Sequence, residues 1–173
     1  MYLGVHTPWD VGVSLCIAVV LVFVFYPLVR WCSDAPKRMA ALLGAMLALA
    51  VAFVCYANFA RFPADIDPQN LYEGQKNSFS LLGALLGFCV AYPVERKHIR
   101  FEEKAVWWVQ VLKVVLGLGG LLAIKEGLKA LFAAVGFLWV GTNAIRYFVV
   151  ILFAALVWPL CFPYLRRLEG KRK

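Results

Sequence analysis

Apolar residues fall in long, nearly uninterrupted runs rather than in the short periodic stripes of a soluble helix. A bilayer core of about 30 Å needs about 20 apolar residues in helical form. Five runs meet or approach that length: 11–31, 39–59, 79–94 with an upstream extension through Ser78, 106–124 and 145–164. The breaks between them are polar. Residues 33–38 form a short turn stopped by Pro36, and 60–77 form a longer loop with Pro63, Pro68 and Gly74. Residues 95–104 alternate charge with Ile99 and Phe101, as an interfacial connector would. In 125–143, Lys125, Glu126 and Lys129 interrupt the apolar pattern, yet Leu128, Leu131, Phe132 and Val135 keep helical spacing. This stretch reads as an amphipathic helix at the surface or a re-entrant piece. The expected fold is all-α, a polytopic transmembrane helical bundle of about five spans.

Composition agrees with this pattern. Of 173 residues, 63% are hydrophobic and 16% charged, against about one-quarter charged in soluble domains. The formal net charge of +8 does not point to nucleic acid, because the basic residues flank apolar runs instead of forming a stripe. Twelve Lys and Arg lie in the turn after the first run, the connector after the third and the C-terminal tail. They are Arg30, Lys37, Arg38, Arg96, Lys97, Arg100, Lys104, Arg166, Arg167, Lys171, Arg172 and Lys173. Five belong to the opposite side: Arg61, Lys76, Lys125, Lys129 and Arg146. The excess of positive charge on cytoplasmic loops predicts a cytoplasmic C-terminus and an extracytoplasmic N-terminus in a multi-pass cell-membrane protein. Trp9, Trp31, Trp107 and Trp108 mark run ends, where indole rings prefer the headgroup level.

Few residues suggest chemistry. Cys16, Cys32, Cys55, Cys89 and Cys161 form no CxxC pair and read as small apolar side chains. Asp65, Asp67 and Glu73 lack a metal-ligand pattern and read as a solvated outer loop. Lys113 lies inside the fourth run, about two turns from Trp107, so it reads as a snorkelling cation, with a polar interior as the alternative. Arg146 and Asn143 open the fifth run as interfacial anchors, or else line a headgroup site. Gly83 and Gly87 form G-x-x-x-G, which admits a second helix at close range.

His6 and Asp10 remain. A carboxylate beside an imidazole fixes its tautomer and stabilises its charged form, leaving the other ring nitrogen free to act as a nucleophile. Taken alone, the pair also reads as an interfacial histidine and an N-cap aspartate for the first span.

The neighbours of this pair carry more information. The run Tyr2 to Val11 resembles the third signature motif of the type 2 phosphatidic acid phosphatase (PAP2) superfamily. That motif reads S-R, five residues, H, three residues, D, and then a transmembrane helix. Residues 1–5 supply the intervening five, which puts His6 and Asp10 in register. Gly83, Gly87, Glu95 and Arg96 likewise resemble the G-x-x-x-G and E-R of a C-terminal extension in some bacterial members. On this resemblance, residues 1–31 are the end of a PAP2 catalytic core and 32–173 a C-terminal transmembrane extension. It implies that His6 is the nucleophile forming a phosphohistidine, that Asp10 orients it, and that neither metal nor cofactor takes part. The substrate would be a lipid phosphate of the isoprenoid diphosphate or phosphatidate type, met among membrane lipids at the extracytoplasmic face.

The chain departs from the family pattern in three places. It carries neither the first motif, K-x6-R-P, nor the second, P-S-G-H, nor the Ser-Arg of the third. Its other histidine, His98, falls on the cytoplasmic side. The expectation is the C-terminal portion of a longer phosphatase, inactive in isolation. The alternative is a non-catalytic multi-pass scaffold or partner subunit.

Overall fold

The structure, a computed structural model, describes residues 8–63, 65–99, 106–137 and 139–166. The described residues are helical, without strands, and five of the helices are long and apolar enough to cross a membrane. They are α1 (Pro8–Ser33), α2 (Pro36–Phe59), α3 (Pro68–Val94), α4 (Trp107–Ala134) and the Thr142–Tyr164 span. That last span runs from α5 (Thr142–Leu152) through a π-helical turn, Phe153–Val157, to two short pieces, α6 (Trp158–Leu160) and α7 (Phe162–Arg166). Pro159 has no N–H to give to the carbonyl four residues back, in the π-helical turn, and a locally widened helix relieves such a gap. A second π-helical turn, Glu95–Ile99, follows Pro93 at the end of α3.

The chain divides into two compact units, 1–45 and 46–173, with the boundary inside α2. In the first unit, Ala35 caps α2 by accepting from the Arg38 and Met39 amides at 3.0 and 3.1 Å. The Arg38 guanidinium lies 4.4 Å from the Trp31 ring centre, a cation–π contact across the turn. Residues 11–27 are exposed all round. A helix apolar on every face is compatible with lipid but not with water.

In the second unit, α5 is the central helix. It runs parallel to α3 on one side and antiparallel to α4 on the other. Glycines set both interfaces. A Cβ on Gly83 would overlap the backbone of Ala144, and one on Gly87 would meet Ile151 at 2.8 Å. The close approach that the G-x-x-x-G permits is therefore made by α5 of the same chain. Opposite, a Cβ on Gly117 would lie 2.7 Å from Trp158 and one on Gly120 would lie 2.8 Å from Phe153. Helix association in lipid depends on such close packing, because tails are as apolar as the side chains.

Two helix boundaries differ from the sequence expectation. The 60–77 loop is shorter than expected, because α3 begins at Pro68. Asp67 caps it, accepting from the Gln69 amide at 3.1 Å, with proline in the first turn where no N–H is needed. The 125–143 stretch is not a separate surface or re-entrant helix. Its first ten residues continue α4 to Ala134, and the helix ends at Gly136 (φ +73°). There the Phe137 amide donates to Phe132 O at 2.9 Å and the Gly136 amide to Ala133 O at 3.1 Å. The Phe132 and Phe137 rings meet edge-on, completing a Schellman stop.

Candidate functional site

Of the two residues singled out for chemistry, His6 lies outside the described residues. Asp10 falls in the first turn of α1, two residues after its start at Pro8, rather than at the N-cap position; its side chain lies outside the described residues. The backbone of His98 belongs to the π-helical turn after α3.

A site assembled from other residues lies in the second unit. A cleft of about 470 Å³ opens where the N-terminal half of α3, the C-terminal end of α4 and the start of α5 converge. Lys76, Lys125, Lys129 and Arg146 line it, with Glu126 as its carboxylate. Four of the five Lys and Arg assigned by charge to the less basic side thus converge on one cavity. Tyr72, Tyr147, Trp139 and Phe137 contribute aromatic wall, and Trp139 packs edge-on against Phe79 of α3.

The local structure explains the arrangement. Thr142 Oγ1 donates to Trp139 O at 2.8 Å, and Asn143 Nδ2 donates to Val140 O at 2.9 Å. These bonds tie the turn between α4 and α5 to the first residues of α5. They also aim Asn143 Oδ1 at Arg146, whose Nη1 donates to it at 3.0 Å. Arg146 Nη2 and Nε donate to Lys125 O on α4 at 3.0 and 3.3 Å. Only 9% of Arg146 is exposed, so it is not an anchor lying among headgroups, which corrects the sequence expectation. It has no carboxylate partner among the described residues, where Lys76–Glu73, at 2.8 Å and part-exposed, is the ion pair formed. Removing a charge from water costs several kcal/mol unless partners replace the water. Here backbone and amide oxygens do so in part.

Other sequence candidates take structural roles. Asp67 is the α3 cap, and Glu73 holds Lys76. Lys113 is buried, and its Nζ lies 4.5 Å from the centre of the Phe162 ring. It packs under an aromatic face instead of snorkelling, again contrary to expectation.

The fold and the distribution of apolar surface define a multi-pass α-helical membrane protein. The family model for the PAP2 superfamily phosphatase transmembrane extension matches residues 79–171. The chain belongs to the PAP2 superfamily, with more than half its length forming that extension. Neither a curated protein nor a solved structure matches it.

Proposed function

We propose that the chain forms the membrane-embedded C-terminal portion of a PAP2-type lipid phosphatase acting through His6 and Asp10. The family match over 79–171 carries this reading, and the Tyr2–Val11 resemblance extends it to the chemistry. One imidazole nitrogen of His6 attacks phosphorus and the P–O bond to the leaving group breaks. Asp10 holds the other ring nitrogen and favours the cation that develops. The leaving oxygen takes a proton from an acid that the second motif supplies, and water then hydrolyses the phosphohistidine. The asymmetry of twelve Lys and Arg against five supports an extracytoplasmic His6 and a cytoplasmic C-terminus. A lipid phosphate would then reach the site from the outer leaflet.

A second reading is a non-catalytic scaffold that shares the family's membrane extension, because the family match covers that extension, residues 79–171, and not the catalytic motifs. The two separate in a protein carrying both motifs and the Ser-Arg of the third ahead of residue 1. The phosphatase reading expects turnover of a lipid diphosphate that tolerates chelators, disappears in His6→Ala and is severely reduced in Asp10→Asn. Wild-type turnover in His6→Ala, or no turnover in the parent, excludes it.

A further inference from the structure

The geometry points to a phosphate-binding site in the cleft between α3, α4 and α5, built from Lys76, Lys125, Lys129 and Arg146 and suited to the headgroup of an anionic phospholipid. The inference does not rest on His6 or on phosphatase activity. Three observations carry it.

The first is charge. Four cations line the cleft against Glu126, and they still outnumber carboxylates four to two when Glu73 is counted through its pair with Lys76. Like charges gathered in one cavity repel, and the repulsion is relieved when an anion binds among them.

The second is the state of Arg146. A guanidinium carries five N–H donors in a planar fork. Three are used, one toward Asn143 Oδ1 and two toward Lys125 O, and the remaining two have no partner among the described residues. A buried fork with donors to spare and no carboxylate is matched to a phosphate, which offers several acceptor oxygens and the missing charge. Buried cations at membrane depth are held where something pairs with them.

The third is the setting. The cleft sits at the ends of three membrane-length helices and joins its cations to an aromatic wall that includes Trp139, Tyr72 and Tyr147. Amphipathic rings at helix ends mark headgroup depth, and at about 470 Å³ the cavity is large enough for a ligand group. A phosphate monoester on a lipid satisfies all three observations, and free inorganic phosphate satisfies the first two.

The test uses the full chain, in nanodiscs of phosphatidylcholine with or without phosphatidate, and in detergent with inorganic phosphate. Bound lipid is counted by native mass spectrometry, and phosphate by equilibrium dialysis. Phosphatidate should be retained over phosphatidylcholine, and Lys125→Gln/Lys129→Gln should weaken retention about tenfold, which is about 1.4 kcal/mol. Arg146→Lys, which keeps the charge but loses the fork, should weaken it less. Arg61→Gln, a cation outside the cleft, should leave it unchanged. Retention of phosphatidate alone assigns a lipid headgroup site, and binding of both ligands assigns a site that reads the phosphate itself. Retention equal to that of phosphatidylcholine together with no phosphate binding overturns the inference. So does an equal loss in Arg61→Gln and in the double variant.

Discussion

Arg146 of α5 reaches across to α4 and donates twice to the carbonyl of Lys125, at 3.0 and 3.3 Å. The two residues belong to helices of opposite direction, so the bridge fixes the register of α4 against α5 near their connecting turn. It also sets Lys125 and Arg146 on one cleft. Stability and charge placement depend here on the same side chain.

Arg146→Ala should therefore destabilise the second unit, by about 1–3 kcal/mol for the lost charged hydrogen bonds. Membrane reference states that find other partners bring the value toward the lower end. Arg146→Lys should lose less, because an ammonium can still reach one carbonyl. Unfolding of the two variants in detergent checks the ranking, and an alanine variant as stable as the parent would remove the bridge from the account.

The glycines give an internally controlled series. Gly83→Ala sets a methyl against the Ala144 backbone, which must move, and Gly87→Ala meets the side chain of Ile151. Overpacking of this kind costs about 1–3 kcal/mol, more at Gly83 because backbone yields less than side chain. At Gly127 nothing lies within 4 Å of the added Cβ, so Gly127→Ala should be neutral or gain up to about 1 kcal/mol of helix propensity. The order of melting temperatures, with position 83 lowest and 127 highest, is the expected result.

The five spans were legible because a bilayer imposes a length and an apolar composition that a sequence displays directly. The G-x-x-x-G at Gly83 and Gly87 was legible as a contact surface, though not its partner, since helix pairing is set by packing of distant segments. The start of α3 was available in Asp67-Pro68, a cap followed by a first-turn proline, but the polar residues 69–77 obscured it. Lys125, Glu126 and Lys129 suggested a break in the helix. In the structure they sit on a continuous α4 that ends one turn further on, at Gly136. The cleft could not be seen from the chain, because its cations come from three segments that are neighbours only once α5 lies between α3 and α4. In the sequence Arg146 and Asn143 read as interfacial anchors or else as lining a headgroup site, Lys76 reads as a topology charge, and Lys125 and Lys129 read as topology charges that interrupt an apolar pattern.

The same charges predict an orientation. Reporters that distinguish compartments, fused after residue 173 and inserted near Arg61, should report a cytoplasmic C-terminus and an extracytoplasmic 60–67 loop. A cytoplasmic signal from the loop would reverse the assignment and turn the cleft toward the cytoplasm.

The chain assayed alone in detergent should hydrolyse neither a soluble phosphate ester nor a lipid diphosphate above background, and His6→Ala should change nothing. Catalytic groups that act as a unit leave little behind when several are missing. Turnover by this chain that vanished in His6→Ala would show that the first two motifs are dispensable.

The central claim is that His6 carries the phosphoryl group. It is tested most directly by acid-labile, alkali-stable labelling of a protein that holds both upstream motifs, quenched during turnover of a lipid phosphate labelled on phosphorus. The account predicts label on the peptide containing His6, absent in His6→Ala and diminished in Asp10→Asn. Label on another residue, or steady turnover with His6 replaced, would contradict it.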